Sequence, residues 1–148
     1  MKPLVLTIGA TAQMIAPPRF PIGLQPAYLA WQNGETVANG DVRTASNGRA
    51  YWCVTGGVCA TEPTAMGGEV FTDGAVVWQH ITPGERIELN ATNTGATVLS
   101  VAAGSKPANG AGQVLNAGGG SYTTVSAKQA AVYAVSSAEG GICAVQDL

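Results

Sequence analysis

Charge is what this sequence has least of. Its 148 residues include seven basic and nine acidic side chains, 11% in all, where soluble domains usually carry roughly a quarter. Mixed surface charge is what ordinarily keeps soluble proteins apart. A chain so poor in it is expected to cover much of its surface with partners. The basic residues stand singly and the net charge is −2. No clustered basic stripe exists to displace counterions from phosphates, so nucleic acid is set aside as a partner. The single histidine, His80, and the lack of a Cys-x-x-Cys pair leave no credible zinc ligand set. No metal or cofactor is expected. No apolar run approaches the length of a membrane-spanning helix, so no membrane partner is expected either.

Recognisable catalytic chemistry is equally scarce. Nothing matches G-x-S-x-G, a phosphate-binding loop or a dinucleotide fingerprint, and the glycines at 118–120 read as a turn. Asp41 and Asp73 adjoin turn glycines, where aspartate is favoured for backbone reasons rather than for acid–base work. His80 has no nucleophile motif to serve. The reading is therefore not an enzyme. Cysteines number three, at 53, 59 and 143, an odd count at uneven spacing that does not make a disulfide framework. Cys53 and Cys59 could meet across a tight hairpin if the compartment were oxidising. Otherwise all three are small buried hydrophobes.

Apolar residues, by contrast, make up 46% of the chain, punctuated by 20 glycines and eight prolines. Residues 1–16 look superficially like a secretory leader. However, Pro3 follows the only charge, and Thr7, Gly9, Thr11 and Gln13 interrupt the run. The alternation of Leu4, Leu6 and Ile8 predicts a strand. Residues 17–26 (PPRFPIGLQP) carry four prolines, which fix φ and withhold donors, so an extended, polyproline-like strip is expected. Phe20, Ile22 and Leu24 on that strip read either as an arm laid over a neighbouring subunit or as packing on its own domain. Residues 1–30 are thus a strand plus an arm.

Residues 31–81 read as a small β module holding all three tryptophans. Its predicted strands cover 36–37, 41–44, 49–55, 70–72 and 75–78, separated by Asn39-Gly40, Asn47-Gly48, Gly56-Gly57 and Asp73-Gly74. In RAYWCVT, alternation places Tyr51 and Cys53 on one face and Ala50, Trp52 and Val54 on the other. A sheet this small is expected to cover only one face itself, leaving Tyr51 or Trp52 at least partly exposed or covered from outside. Trp31 and Trp78, at the module's ends, read mainly as a clasp that uses large rings in place of an aliphatic core. Trp52 is the best single candidate for contact with a sugar or a subunit, with Tyr51, Trp31 and Trp78 behind it.

Residues 82–148 change texture, with few aromatics and short strands at regular intervals: 86–91, 97–101, 114–115, 122–125, 131–135 and 142–145. Ile87 and Leu89 are expected to point inward. Strands of this kind predict a compact β-sandwich or jelly-roll-like segment, making the whole chain all-β.

Two stretches carry a resemblance. Trp31, Gly40-Asp41-Val42, Asn47-Gly48-Arg49, Tyr51, Cys53, Gly56-Gly57, Pro63, Asp73-Gly74 and Trp78 resemble a small β module of bacteriophage head and tail proteins, related in pattern to chitin-binding-type carbohydrate modules. Val37 stands where those modules often carry a tyrosine. The run Ala131-Val-Tyr-Ala-Val135, then Gly140-Gly141 and Ile142, is similar to the closing strands of a sandwich in phage decoration proteins and fibres. The resemblance implies a virion structural protein, a capsid decoration or cement protein assembled in the host cytoplasm and held on the capsid surface. Its implied partners are the major capsid protein and copies of itself, as a trimer. The alternative it implies is a carbohydrate-binding tail or fibre component that recognises a host glycan.

Overall fold

The computed structural model describes residues 3–148, and within them the chain is all-β, without helix. Fourteen strands follow in order. The first eight are β1 (Leu4–Ile8), β2 (Gln13–Ala16), β3 (Thr36–Val37), β4 (Val42–Thr44), β5 (Ala50–Thr55), β6 (Gly57–Val58), β7 (Val70–Asp73) and β8 (Val76–His80). The remaining six are β9 (Leu89–Asn93), β10 (Leu99–Ala103), β11 (Gln113–Leu115), β12 (Ser121–Thr124), β13 (Val132–Ser136) and β14 (Gly141–Asp147). All the strand pairings are antiparallel. The contacts divide the chain into two units, one of residues up to 19 together with 85–148, the other of residues 20–84.

The first unit holds two four-stranded sheets, ordered β1-β14-β9-β12 and β11-β10-β13-β2, and is sandwich-like. Alternation explains its core. Leu6, Ile8, Leu89, Ala91, Cys143 and Val145 of one sheet, and Leu99, Val101, Leu115, Val132 and Ala134 of the other, are all buried. The N-terminal strand forms as the Leu4–Ile8 pattern predicts, and it pairs with β14, with Leu6 opposite Cys143. The expected segment 1–30 therefore divides near residue 19. Its strands belong with the C-terminal sheets, and its proline-rich part belongs to the second unit. Strand β2 lay within a stretch whose polar residues hid it. Gly120 marks a close approach, since a Cβ there would come 2.5 Å from the Asn116 backbone nitrogen.

One inward position was inverted. Ile87, expected inside, is 78% exposed, while Arg86 is buried. Strand β9 begins only at Leu89, because the 86–88 backbone bonds elsewhere, to Lys128 and Leu148 carbonyls. The guanidinium is drawn in by acceptors on every side. It donates to the Ala127, Ala130 and Pro17 carbonyls at 2.6–2.7 Å and to Asp147 through Nε at 2.6 Å. Arg19 reaches the same carboxylate at 3.0 Å. A charge with this many partners tolerates burial where an isolated one would not. Asn93 repeats the device with a neutral side chain, donating to the Thr97 and Leu115 carbonyls.

The second unit is built on the sheet β4-β5-β8-β7, with the short pair β3-β6 beside it. The β7–β8 hairpin turns at the predicted Asp73-Gly74 pair, where Gly74 has φ +58°, in the left-handed region that favours glycine. A bulge falls between Cys53 and Thr55 opposite Trp78 and Val77, so the alternation of β5 breaks at Val54. The edge of β4 is covered. Ala30 bridges Thr44 in parallel, with Trp31 N donating to Thr44 O and Thr44 N to Leu29 O. A covered edge offers no free ladder to another chain.

Candidate functional site

The aromatic residues singled out from sequence meet different fates. Tyr51, Cys53, Val76 and Trp78 share one buried cluster with Val37, Ala45 and Cys59, against which Trp31 and Phe71 pack. Tyr51, Trp52 and Trp78 are each 0% exposed. Of the two outcomes expected for that face, exposure of Tyr51 or Trp52 is therefore corrected, since both rings are covered. The Trp52 N–H donates to Gln79 Oε1 across the ladder (3.1 Å), and Gln79 Nε2 donates to Gly68 O (2.8 Å). These bonds draw the loop before β7 against the face on which Trp52 stands. A glycan-stacking platform needs an open ring face, and none of these three rings offers one.

Magnitudes explain why the unit tolerates this arrangement. The indole nitrogens of Trp31 and Trp78 are buried without a hydrogen-bond acceptor. Trp31 has only the Cys59 sulfur beside it, a weak acceptor. Leaving such a donor unmet costs about 1–3 kcal/mol. Burying a large ring removes about 150–250 Å² from water and returns up to about 4–6 kcal/mol at ~25 cal/mol/Å². Burial wins. The rings pack against aliphatic and thiol neighbours more than on each other. Among the described residues the one ring pair is Tyr51 with His80, at 5.6 Å between centroids and tilted by 50°.

The thiols and carboxylates read as structural. Cys53, Cys59 and Cys143 are free and buried. Burial, helped by the Asp41 charge, pushes the Cys53 thiol up to about 12. Burial does the same for Cys143, to about 12, and raises Cys59. Thiols held protonated are poor nucleophiles. Asp41 accepts from Ala38 N within its own turn (2.9 Å), as its neighbours predicted, whereas Asp73 accepts from Ala60 N in a distant loop (2.7 Å). No group of three His, Cys, Asp or Glu side chains among the described residues could hold a metal. No helix among them is long and apolar enough to cross a membrane.

The proline-rich strip is anchored at both ends. Phe20 is buried, and its carbonyl accepts from Gly84 N (2.9 Å) within the second unit. The other anchor is the Leu29–Thr44–Trp31 backbone exchange described above. Between the anchors Ile22 is 81% exposed and Leu24 67%, followed by Leu29 at 71%. Of the three strip residues named from sequence, Phe20 is enclosed, while Ile22 and Leu24 stand open to water.

Trp31 differs from the other tryptophans in being half-buried beside an open cleft of about 420 Å³. Tyr28, Gln25, Ala45, Ser46 and Glu62 also line it. Glu62 accepts from the Ser46 backbone N–H, and that bond, followed by the Ser46 side chain, holds the carboxyl below its ordinary range. Burial raises the Tyr28 hydroxyl above its ordinary range. No local pattern in the sequence marks Tyr28, Ser46 or Glu62 for this role. The one available signal was Tyr28 three residues before Trp31 on an extended run. No family model, curated protein or solved structure compared with this chain matches it.

Proposed function

We propose that this protein is a non-enzymatic bacteriophage structural protein, a decoration or cement protein that binds the assembled capsid and stabilises it. The observation that carries the reading is the row of exposed apolar side chains, Ile22, Leu24 and Leu29, on a strip tethered at both ends. Water-facing aliphatic side chains in series mark contact surfaces. Tethering and proline lower the entropy lost when such a strip docks. The scarcity of charge and the resemblance of residues 31–78 and 131–142 to virion modules support the same reading.

In this proposal the strip lies on the major capsid protein. The β-sheets of residues 85–148, read as a jelly-roll-like sandwich, bring copies of the chain together as trimers. Residues 31–81, the aromatic module, extend the covered surface. Preferential binding to the assembled shell would stabilise it by mass action.

Mass spectrometry of separated head and tail fractions tests the location, and absence from heads overturns the proposal. The double variant Ile22→Ser/Leu24→Ser tests the surface. Its melting temperature should stay near the parent's, because exposed substitutions usually change stability by less than about 0.5 kcal/mol. Its binding to capsids stripped of this protein should fall about tenfold or more, as loss of a contact anchor does.

A further inference from the structure

The cleft beside Trp31 has a chemistry of its own. It lies within the second unit, walled by the 25–31 strip on one side and by Ala45, Ser46 and Glu62 on the other. Its volume of about 420 Å³ falls within the range of small-molecule sites. Two aromatic rings line it, Tyr28 and Trp31, and one charge, the Glu62 carboxylate. No lysine or arginine does.

Tyr28, Thr44, Ser46 and Gln25 can both donate and accept there, and Glu62 is the one lining side chain that only accepts. Gln25 gives one amide N–H to the Gly48 carbonyl (3.1 Å), which leaves its second N–H and its carbonyl oxygen. Glu62 is acceptor-only when ionised; its bonds are to the Ser46 backbone N–H and side chain, and no cation neutralises it within the cleft. The Trp31 N–H is enclosed, so it gives the cleft no donor. A neutral polyol leaves the Glu62 charge uncompensated, whereas a cation neutralises it. An ammonium or guanidinium does nothing but donate, carries the opposite charge, and is attracted by aromatic faces.

We propose that this cleft binds an organic cation, an alkylammonium or guanidinium group, between Tyr28 and Trp31 with Glu62 as its counter-ion. The group has two sources, a free amine or the lysine or arginine side chain of a protein. The assignment stands whether or not the chain belongs to a virion, because none of its residues is an exposed aliphatic of the strip.

Ligand-observed NMR on the full chain tests it, with tetramethylammonium, blocked arginine and blocked lysine as small probes. An arginine- and lysine-containing peptide and a neutral disaccharide serve as comparators. Saturable binding of the cations with Kd on the order of 1 mM or tighter is expected. It should weaken as salt rises. Glu62→Gln should weaken it about tenfold, and Tyr28→Ala by a smaller factor that stays within the cation–π range. Both positions are accessible enough for the variants to fold, which unchanged amide spectra will verify.

A peptide bound at least about tenfold tighter than blocked arginine assigns the source to a protein partner, and equal affinities assign it to free amines. The proposal is overturned if no cation binds, if Glu62→Gln binds them as well as the parent does, or if the neutral disaccharide binds equally tightly. Capsid association lost in the Ile22/Leu24 variant with cation binding intact would separate this site from the proposed function.

Discussion

The two units solve the same problem, closing a small β core, with opposite materials. Residues 85–148, with the two strands that precede residue 19, use aliphatic and small side chains and satisfy their buried polar groups in full view of the backbone. Arg86 and Asn93 are buried there, and each makes several bonds to carbonyls. Residues 20–84 have strands of two to six residues and too little sheet to bury an aliphatic core. They bury Tyr51, Trp52 and Trp78 instead and leave two indole donors unmet. The first unit is held by specific polar geometry and the second by ring area. Substitutions should therefore fail in different ways in the two.

The largest effect is expected at Trp78. Replacing it by alanine removes the biggest ring of the second cluster and should cost about 3–5 kcal/mol in chemical denaturation. Phenylalanine retains most of the area and surrenders no hydrogen bond, since the Trp78 N–H has none. Its cost should be about 1–2 kcal/mol. If Trp78→Phe were as damaging as Trp78→Ala, ring area would not be what holds the unit.

Next comes Arg86→Met, nearly the same size but without donors. It strands three carbonyls and takes one cation from Asp147, which Arg19 still contacts. A loss of about 3 kcal/mol is expected, near the lower end for breaking a buried charge pair. Amide hydrogen exchange should show weakened protection in β9, β13 and β14, with β5 and β8 unchanged. Equal loss in both sets would mean that the two units unfold as one, and the comparison would dissolve.

How much of this was legible in the sequence follows the same division. Most strands were readable in both units, since period-two alternation and Asn-Gly or Asp-Gly turns are local signals, but β2 and β6, which lack them, were not. The strand over 50–55 and the hairpin at Asp73-Gly74 fall where the residues put them. Burial was less readable wherever a distant partner decides it. Arg86 goes in and Ile87 out because acceptors 41 to 69 residues away converge on the guanidinium. No local pattern announces that. Trp52 was placed on the correct face, yet its openness was misjudged, because the Gln79–Gly68 link that closes the loop on that face joins residues 11 apart in an irregular segment. The cleft was illegible for a similar reason. Tyr28, Ser46 and Glu62 are unremarkable alone and meet only because Leu29 and Trp31 bond to the edge of β4.

The smallest effect, and the finest probe of the second unit, is the pH response of His80. Burial, and after it the Arg49 charge, lowers its pKa from the ordinary 6.5. The fold agrees with a neutral ring, for Nδ1 accepts from Gly67 N at 3.2 Å and so must keep its lone pair. A base whose folded pKa is depressed disfavours protonation of the native state. Its contribution to stability is complete above 6.5 and is lost as pH falls through the lower folded value. His80→Gln keeps an acceptor for Gly67 and removes the titration. Between about pH 7 and pH 5 the parent should therefore lose more stability than the variant, read as the difference between their denaturation midpoints at each pH. Carboxylate protonation acts on both proteins alike and cancels in that difference. A variant that loses as much as the parent would place His80 in water and not against Tyr51.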